Sequence, residues 1–345
     1  MASKEDILGI VDAARGKGYA VFAPVKRDNL VFLARVDDTA SIDFDHVLTV
    51  TSLKDVLLPR CEAVAKLDLD EASAAPPEEA REATLIFGSR PCDAAGASIL
   101  DAILLGPIGD AHYARRRERT VIVTLACSRS DQACFCWSMG YGPHDPTGSD
   151  VLILPAGGRF EVKAITGKGK AFLEGIGFAD KDLERGGGSV GAVDAPPTLS
   201  RKVEITELKA WLDCNFDSPL WRAVSENCVS CGTCYYLCPT CHCFDIVDET
   251  GLSKGDRMRI WDCCSFSGFT KMAGHQPRLG RHARYRQRVM HKFSYCVDNV
   301  GKVACVGDGR CIRHCPYGVD ICEVLEDLAG GHRKEAGGGS QGTGK

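Results

Sequence analysis

The chain has no long hydrophobic run: none of its 345 residues lies in a segment approaching the roughly 18 consecutive apolar residues that a membrane helix needs, so no membrane span is expected. It has no excess of positive charge either. Forty-two Lys and Arg stand against 46 Asp and Glu, a net charge of -4, which gives no basic field to hold nucleic acid or an anionic membrane. It lacks a haem attachment motif, a nickel site and a recognisable DNA-binding element. The start, MASKEDILGIVDAARGKGY, has the pattern of an amphipathic helix and not the charged, apolar and small-residue tripartite pattern of a secretory signal, so a cytoplasmic protein is expected. With 44% hydrophobic and 26% charged residues, the composition is that of a globular protein long enough for two domains.

The first 213 residues are also poor in cysteine, with only five, yet the whole chain has 19. The other fourteen fall between Cys214 and Cys322, a span of 109 residues. In a reducing compartment thiols do not persist as structural disulfides, so cysteine at this density points to metal or redox chemistry.

Up to residue 200 the chain alternates helical stretches with short apolar runs, YAVFAP from Tyr19, VFLARV from Val31, TLIF from Thr84, VIVTL from Val121 and VLIL from Val151. This alternation predicts an α/β or α+β domain over residues 1–200, followed by a mainly helical domain over 201–328 and a disordered tail over 329–345. The Gly- and Pro-rich stretch 184–200 marks the boundary. Its Gly186, Gly188 and Gly191 spell G-x-G-x-x-G, but a charged KDLER precedes and Asp-Ala-Pro-Pro follows, where a dinucleotide site needs a strand and then a helix. Loop composition explains it better.

From Cys228 the sequence reads CVSCGTCYYLCP, which is C-x2-C-x2-C-x3-C-P. Three thiolates at this spacing wrap one iron-sulfur cube, and the fourth, before proline, reaches the neighbouring cluster in two-cluster ferredoxins. A zinc site would need only four thiolates and not this order. A second match, CVGDGRCIRHCP from Cys305, has Asp308 where the second cysteine belongs. By the exchange rule one cluster takes Cys228, Cys231, Cys234 and Cys315, and the other takes Cys305, Cys311 and Cys238 with Asp308 as the candidate fourth ligand. Two 4Fe-4S clusters are expected, the second ligated by the carboxylate, reduced to three irons, or completed by water or a displaced thiol such as Cys296. The 66 residues between Cys238 and Cys305 exceed a compact ferredoxin hairpin and point to a helical ferredoxin-type domain.

Two further sets remain. Cys92, Cys127, Cys134 and Cys136 would meet at the carboxyl edge of a sheet if TLIF and VIVTL are adjacent parallel strands, and could hold a third cluster. Buried cysteines acting as small apolar residues, or a zinc site, are the alternatives. Cys241, Cys243 and Cys264 are candidate ligands of a further cluster or neighbours that tune the first two. The basic segment 278–292 reads either as a solvated helix face, as a docking surface, or as cations offsetting an anionic cluster.

The ordered set GSRPCDAAGASILDAIL, YARRRERTVIVTLAC, CFCWSMGYGP, CPTCHCFD, IWDCC, RYRQRVMHKFSY and CVGDGRCIRHCP resembles the iron-sulfur subunits typified by the sulfhydrogenase beta subunit and by the iron-sulfur subunit of anaerobic sulfite reductase. The resemblance covers roughly residues 80 to 325. It implies an electron-transfer subunit that relays electrons between a flavin subunit working on NAD(P)H and a catalytic part, either a nickel-iron hydrogenase or a sulfite reductase. The chain departs from that pattern at Asp308, commonly a cysteine, and at Cys263, an extra thiol beside Cys264. The alternative function is a self-contained iron-sulfur enzyme that uses an open iron at the Asp308 cluster.

Overall fold

The computed structural model describes residues 1–77, 82–178 and 193–337, the last seven for their backbone alone. The glycine triplet at 186–191 lies outside the described residues. An N-terminal α/β region with two mixed or antiparallel sheets is followed by a C-terminal region of helices carrying the cysteine motifs.

Helix α1 (Lys4–Gly16) opens on a capping box in which Ser3 Oγ accepts from the Asp6 amide at 3.1 Å and the Asp6 carboxylate accepts from the Ser3 amide at 2.7 Å. Five of the apolar runs are strands of one six-stranded sheet. These are β1 (Ala20–Arg27), β2 (Leu30–Arg35), β5 (Thr84–Ser89), β6 (Thr120–Leu125) and β7 (Val151–Ala156), joined by β8 (Arg159–Ala164) in the order β2-β1-β5-β6-β7-β8. The four central strands run parallel and the two edge pairs antiparallel. Alternation divides the burial: Leu85, Phe87, Val121 and Val123 face α1 and α5 (Gly167–Gly175), while Ile86 and Ile122 face α3 (Pro91–Leu104) and α4 (Ala111–Arg119).

A second sheet crosses the residue-200 boundary. Strands β3 (Cys61–Asp68), preceded by the one-turn helix α2 (Lys54–Leu57), and β4 (Ser73–Ala75) pair with a hairpin of β9 (Phe244–Thr250) and β10 (Lys254–Trp261), in the order β4-β3-β10-β9. The insertion between Cys238 and Cys305 is therefore in part a hairpin where helical composition was expected. The runs FDIVDET and KGDRMRIW carry the β-branched and alternating residues that favour an extended chain, and β3 supplies the edge that they pair with.

The helices of the C-terminal region are short until α9 (Arg281–Met290), which continues through a π-helical turn at His291–Tyr295 into α10 (Cys296–Val300). Before it come α6 (Leu208–Cys214), α7 (Leu220–Val224) and α8 (Thr233–Tyr236), and after it α11 (Arg310–Arg313) and α12 (Ile321–Gly337). Trp211, Trp221, Tyr285, Val289, Phe293 and Leu325 share one core, into which Phe135 and Met139 of the N-terminal half also pack. Helix α12 runs to Gly337, beyond residue 329 where the tail was expected to begin. Once Ile321, Val324, Leu325 and Leu328 dock its first turns, each further residue adds a hydrogen bond at little cost. Residues 338–345 lie outside the described residues.

Candidate iron-sulfur sites

Strands β5 and β6 are parallel neighbours, paired from Thr84↔Thr120 onward, so the turns that follow them emerge at the same sheet edge. Arg90 fixes the two turns together. Its buried guanidinium donates to the carbonyls of Leu125 at 3.2 Å and Ala126 at 3.1 Å, and to those of Phe44 and His46. Pro91 occupies the first turn of α3 in place of an amide that would have no partner, and Cys92 follows it. Cys92 and Cys127 thus share a cavity with Cys134 and Cys136. Burial pushes the Cys92 thiol well up, that of Cys127 to about 11 and that of Cys136 to about 12, so without a metal these groups are neutral and a bound metal must displace their protons.

The lid of this cavity comes from the far end of the chain, since Gly307 and Asp308 also line it. Gly307 has φ +65°, and a Cβ there would sit 2.6 Å from the Cys136 backbone, so only glycine lets the two loops touch; its carbonyl accepts from the Phe135 amide at 2.9 Å. Arg313 holds the same junction from α11. It binds both oxygens of Asp131, at 2.7 and 2.6 Å, and approaches Cys134 Sγ at 3.1 Å.

Cys228, Cys231, Cys234 and Cys315 line a second cavity, and Cys311 shares its wall with Arg288, Tyr285 and Tyr317. The exchange-rule set for one cluster is therefore gathered around one space. Cys231 is exposed and the other three are partly buried. Burial drives the Cys234 thiol up to about 12.

The members of the other exchange-rule set are electrostatic neighbours. Burial raises Cys305 to about 12, with Cys238 and Cys311 adding to the shift, and the charges of Cys311, Asp308 and Cys238 act on one another. Lys292 lies under Cys238: its Nζ reaches the sulfur at 3.2 Å, Thr240 Oγ1 at 3.0 Å and the Ala304 carbonyl at 2.8 Å. Burial disfavours its charge, but the sulfurs of Cys238, Cys241 and Cys305 outweigh that and hold the ammonium protonated. Asp308 is 6% exposed, with one carboxylate oxygen engaged by Arg310 at 2.8 Å. Arg310, fully buried, also makes a two-pronged pair with Asp93 at 2.8 and 2.9 Å and donates to the Thr49, Val50 and Thr51 carbonyls. One guanidinium so ties the residue after Cys92 to the Asp308 carboxylate.

A third cavity is lined by Cys241, Cys243, Cys264, His291, Lys292 and Arg288 among others. The basic segment is thereby resolved: of its cations Arg284, Arg288 and Lys292 are buried and turned inward, and Arg286 pairs with Asp217 at 3.1 Å. Cys61 and Cys214 are exposed and Cys322 is buried, and none of the three lines these cavities.

Among the described residues no three His, Cys, Asp or Glu side chains close on a single metal-ion position. Four sulfurs bound to one zinc at 2.3 Å would lie within about 4 Å of one another, whereas a cube of four irons holds its thiolates around a volume. The thiols here ring cavities, which suits the larger group.

Sequence reasoning missed Arg310, Asp93 and Arg90, all needed to bring the halves of these sites together. Asp93 adjoins Cys92 and Arg310 adjoins Cys311, so position beside a ligand was the available signal.

The class that these residues define is an iron-sulfur protein with a paired-cluster module: residues 227–319 match the family model of the 4Fe-4S dicluster domain. Over 318 residues, 90% of this chain and 92% of the relative, the sequence is 28% identical to sulfhydrogenase 2 subunit beta of Pyrococcus furiosus. Together the two matches support the iron-sulfur electron-transfer subunit family that the motifs resemble. No helix among the described residues is long and apolar enough to cross a membrane.

Proposed function

We propose that the chain is the electron-relay subunit of a multisubunit, cytoplasmic oxidoreductase, passing electrons between a flavin subunit that works on NAD(P)H and a catalytic subunit of the nickel-iron hydrogenase or sulfite reductase type. The observation that carries this reading is contiguity. The cavity of Cys92, Cys127, Cys134 and Cys136 is walled by Asp308, Asp308 acts on Cys238 and Cys311, and Cys311 walls the cavity of Cys228, Cys231, Cys234 and Cys315. Iron-sulfur clusters at these three places would supply one-electron steps. The chain's own residues hold the thiols and offset the charge of their thiolates with Arg288, Lys292 and Arg310, and of these cysteines only Cys231 is exposed.

Asp308 is suited to a single-oxygen ligand, because Arg310 already engages its other oxygen. A buried, clamped carboxylate leaves no open approach for a substrate, which favours the relay over the self-contained enzyme.

The test is iron, acid-labile sulfide and low-temperature EPR on the anaerobically purified chain and its variants. Cys228→Ser and Cys127→Ser are each expected to remove about four irons, one cube, per chain. Unchanged iron in Cys228→Ser would overturn the relay, and unchanged iron in Cys127→Ser would remove its N-terminal station.

A further inference from the structure

The paired-cluster module matched at residues 227–319 accounts for two cubes, yet within the same span a separate cavity is ringed by thiols that neither exchange-rule set uses. Cys241 and Cys243 enter it from the loop after the Cys-Pro of the first motif, and Cys264 enters from the turn after β10. His291, the first residue of the π-helical turn, lines the opposite side. The wider turn changes the pitch of α9 there, and such single π turns recur at functional sites.

We propose that Cys241, Cys243, Cys264 and His291 form a further iron-sulfur site within the module, holding a cube by three thiolates and one imidazole, with Lys292 and Arg288 offsetting its negative charge. This goes beyond the relay reading, which needs only the three sites described above.

Three observations converge on it. The space is bounded by four groups of the kind that bind iron, drawn from three separate segments of the chain. Buried cations gather here: Lys292 and Arg288 both line the cavity, and Lys54 sends its Nζ to the Tyr235 carbonyl at 3.1 Å beside it. Buried cations in such number need negative charge nearby, and an anionic cluster in this space would add it. Arg288 Nε has no hydrogen-bond partner, and the same side chain lines the cavity of Cys228, Cys231, Cys234 and Cys315. Arg288 therefore stands between the two spaces and would shield one anionic group from the other. Imidazole in place of a thiolate raises a cluster's potential, as it does in two-iron centres with mixed ligation.

The experiment uses the full chain purified anaerobically, with metals and sulfide counted per chain. Cys243→Ser is expected to lose about four irons and about four sulfides relative to the wild type, one cube, while the EPR signals abolished by Cys228→Ser persist. His291→Cys is expected to keep its iron and to shift one EPR signal and its midpoint potential downward, as a thiolate replaces the imidazole. Iron unchanged in Cys243→Ser, or zinc lost in its place, overturns the site. Should Cys243→Ser fail to fold, His291→Cys decides alone, and an unaltered spectrum and potential overturn it. Because Cys228→Ser reports on the relay separately, failure of either reading is read independently of the other.

Discussion

Arg310 is the side chain on which most depends. It is buried with two carboxylates, Asp93 and Asp308, and removing it strands both charges in a low-dielectric interior. Arg310→Met is expected to cost about 3–5 kcal/mol, seen as a lowered melting temperature, together with lost iron at the sites on either side. Arg257→Ala, which breaks a fully exposed pair with Asp248, should leave melting unchanged by comparison. His46 is a second residue with a readable consequence. Burial, with the charges of Arg90 and Arg310, lowers its imidazole to about 2 from the usual 6.5, so the folded protein keeps it neutral. The unfolded chain takes up a proton near pH 6.5 that the folded one refuses until about pH 2, so this stabilisation is complete above pH 6.5 and is lost as pH falls toward 2. Between pH 6 and pH 5 the wild type is expected to lose up to about 1.4 kcal/mol more than His46→Gln, as followed by thermal melting.

At the scale of elements, the contacts between α3 and the cysteine loops set the geometry. Gly96 on α3 lies against the Pro239 of the first motif, where a Cβ would come within 2.7 Å of the ring, and Gly307 lies against Cys136. Gly307→Ala must also adopt a positive φ, and is expected to destabilise by more than about 1 kcal/mol and to release iron from the Cys92, Cys127, Cys134 and Cys136 cavity before the others, measured as iron retained after gel filtration. Much at this scale was legible in the sequence. The runs at Thr84 and Val121 alternate and precede cysteines, which anticipated parallel strands with thiols at one edge. Cys228, Cys231, Cys234 and Cys315, grouped by their spacing, line one cavity, and Cys311 of the second motif lines it too. The direction of the basic helix was not legible, because a helix of Arg and Lys has the same composition whether its cations face water or a buried sulfur. Only the packing of Arg284, Arg288 and Lys292 distinguishes them.

For the whole molecule, the boundary near residue 200 divides composition but not structure. Strand β10 pairs with β3 along seven positions, Arg259 of β10 joins Glu62 of β3 at 2.9 Å, and Lys54 stacks 3.8 Å over Trp261. No local pattern encodes a pairing between residues almost two hundred apart, so this sheet could not be read from the sequence. A fragment of residues 201–345 is expected to aggregate or to hold less iron per chain than the same segment does in the full protein, as measured by sedimentation and iron content. The contact of Gly307 with Cys136 has one more consequence, for synthesis. The pocket made by the first half stays without its lid until residues 307 and 308 have been synthesised, so a chain stopped short of them would carry the thiols of Cys92, Cys127, Cys134 and Cys136 uncovered.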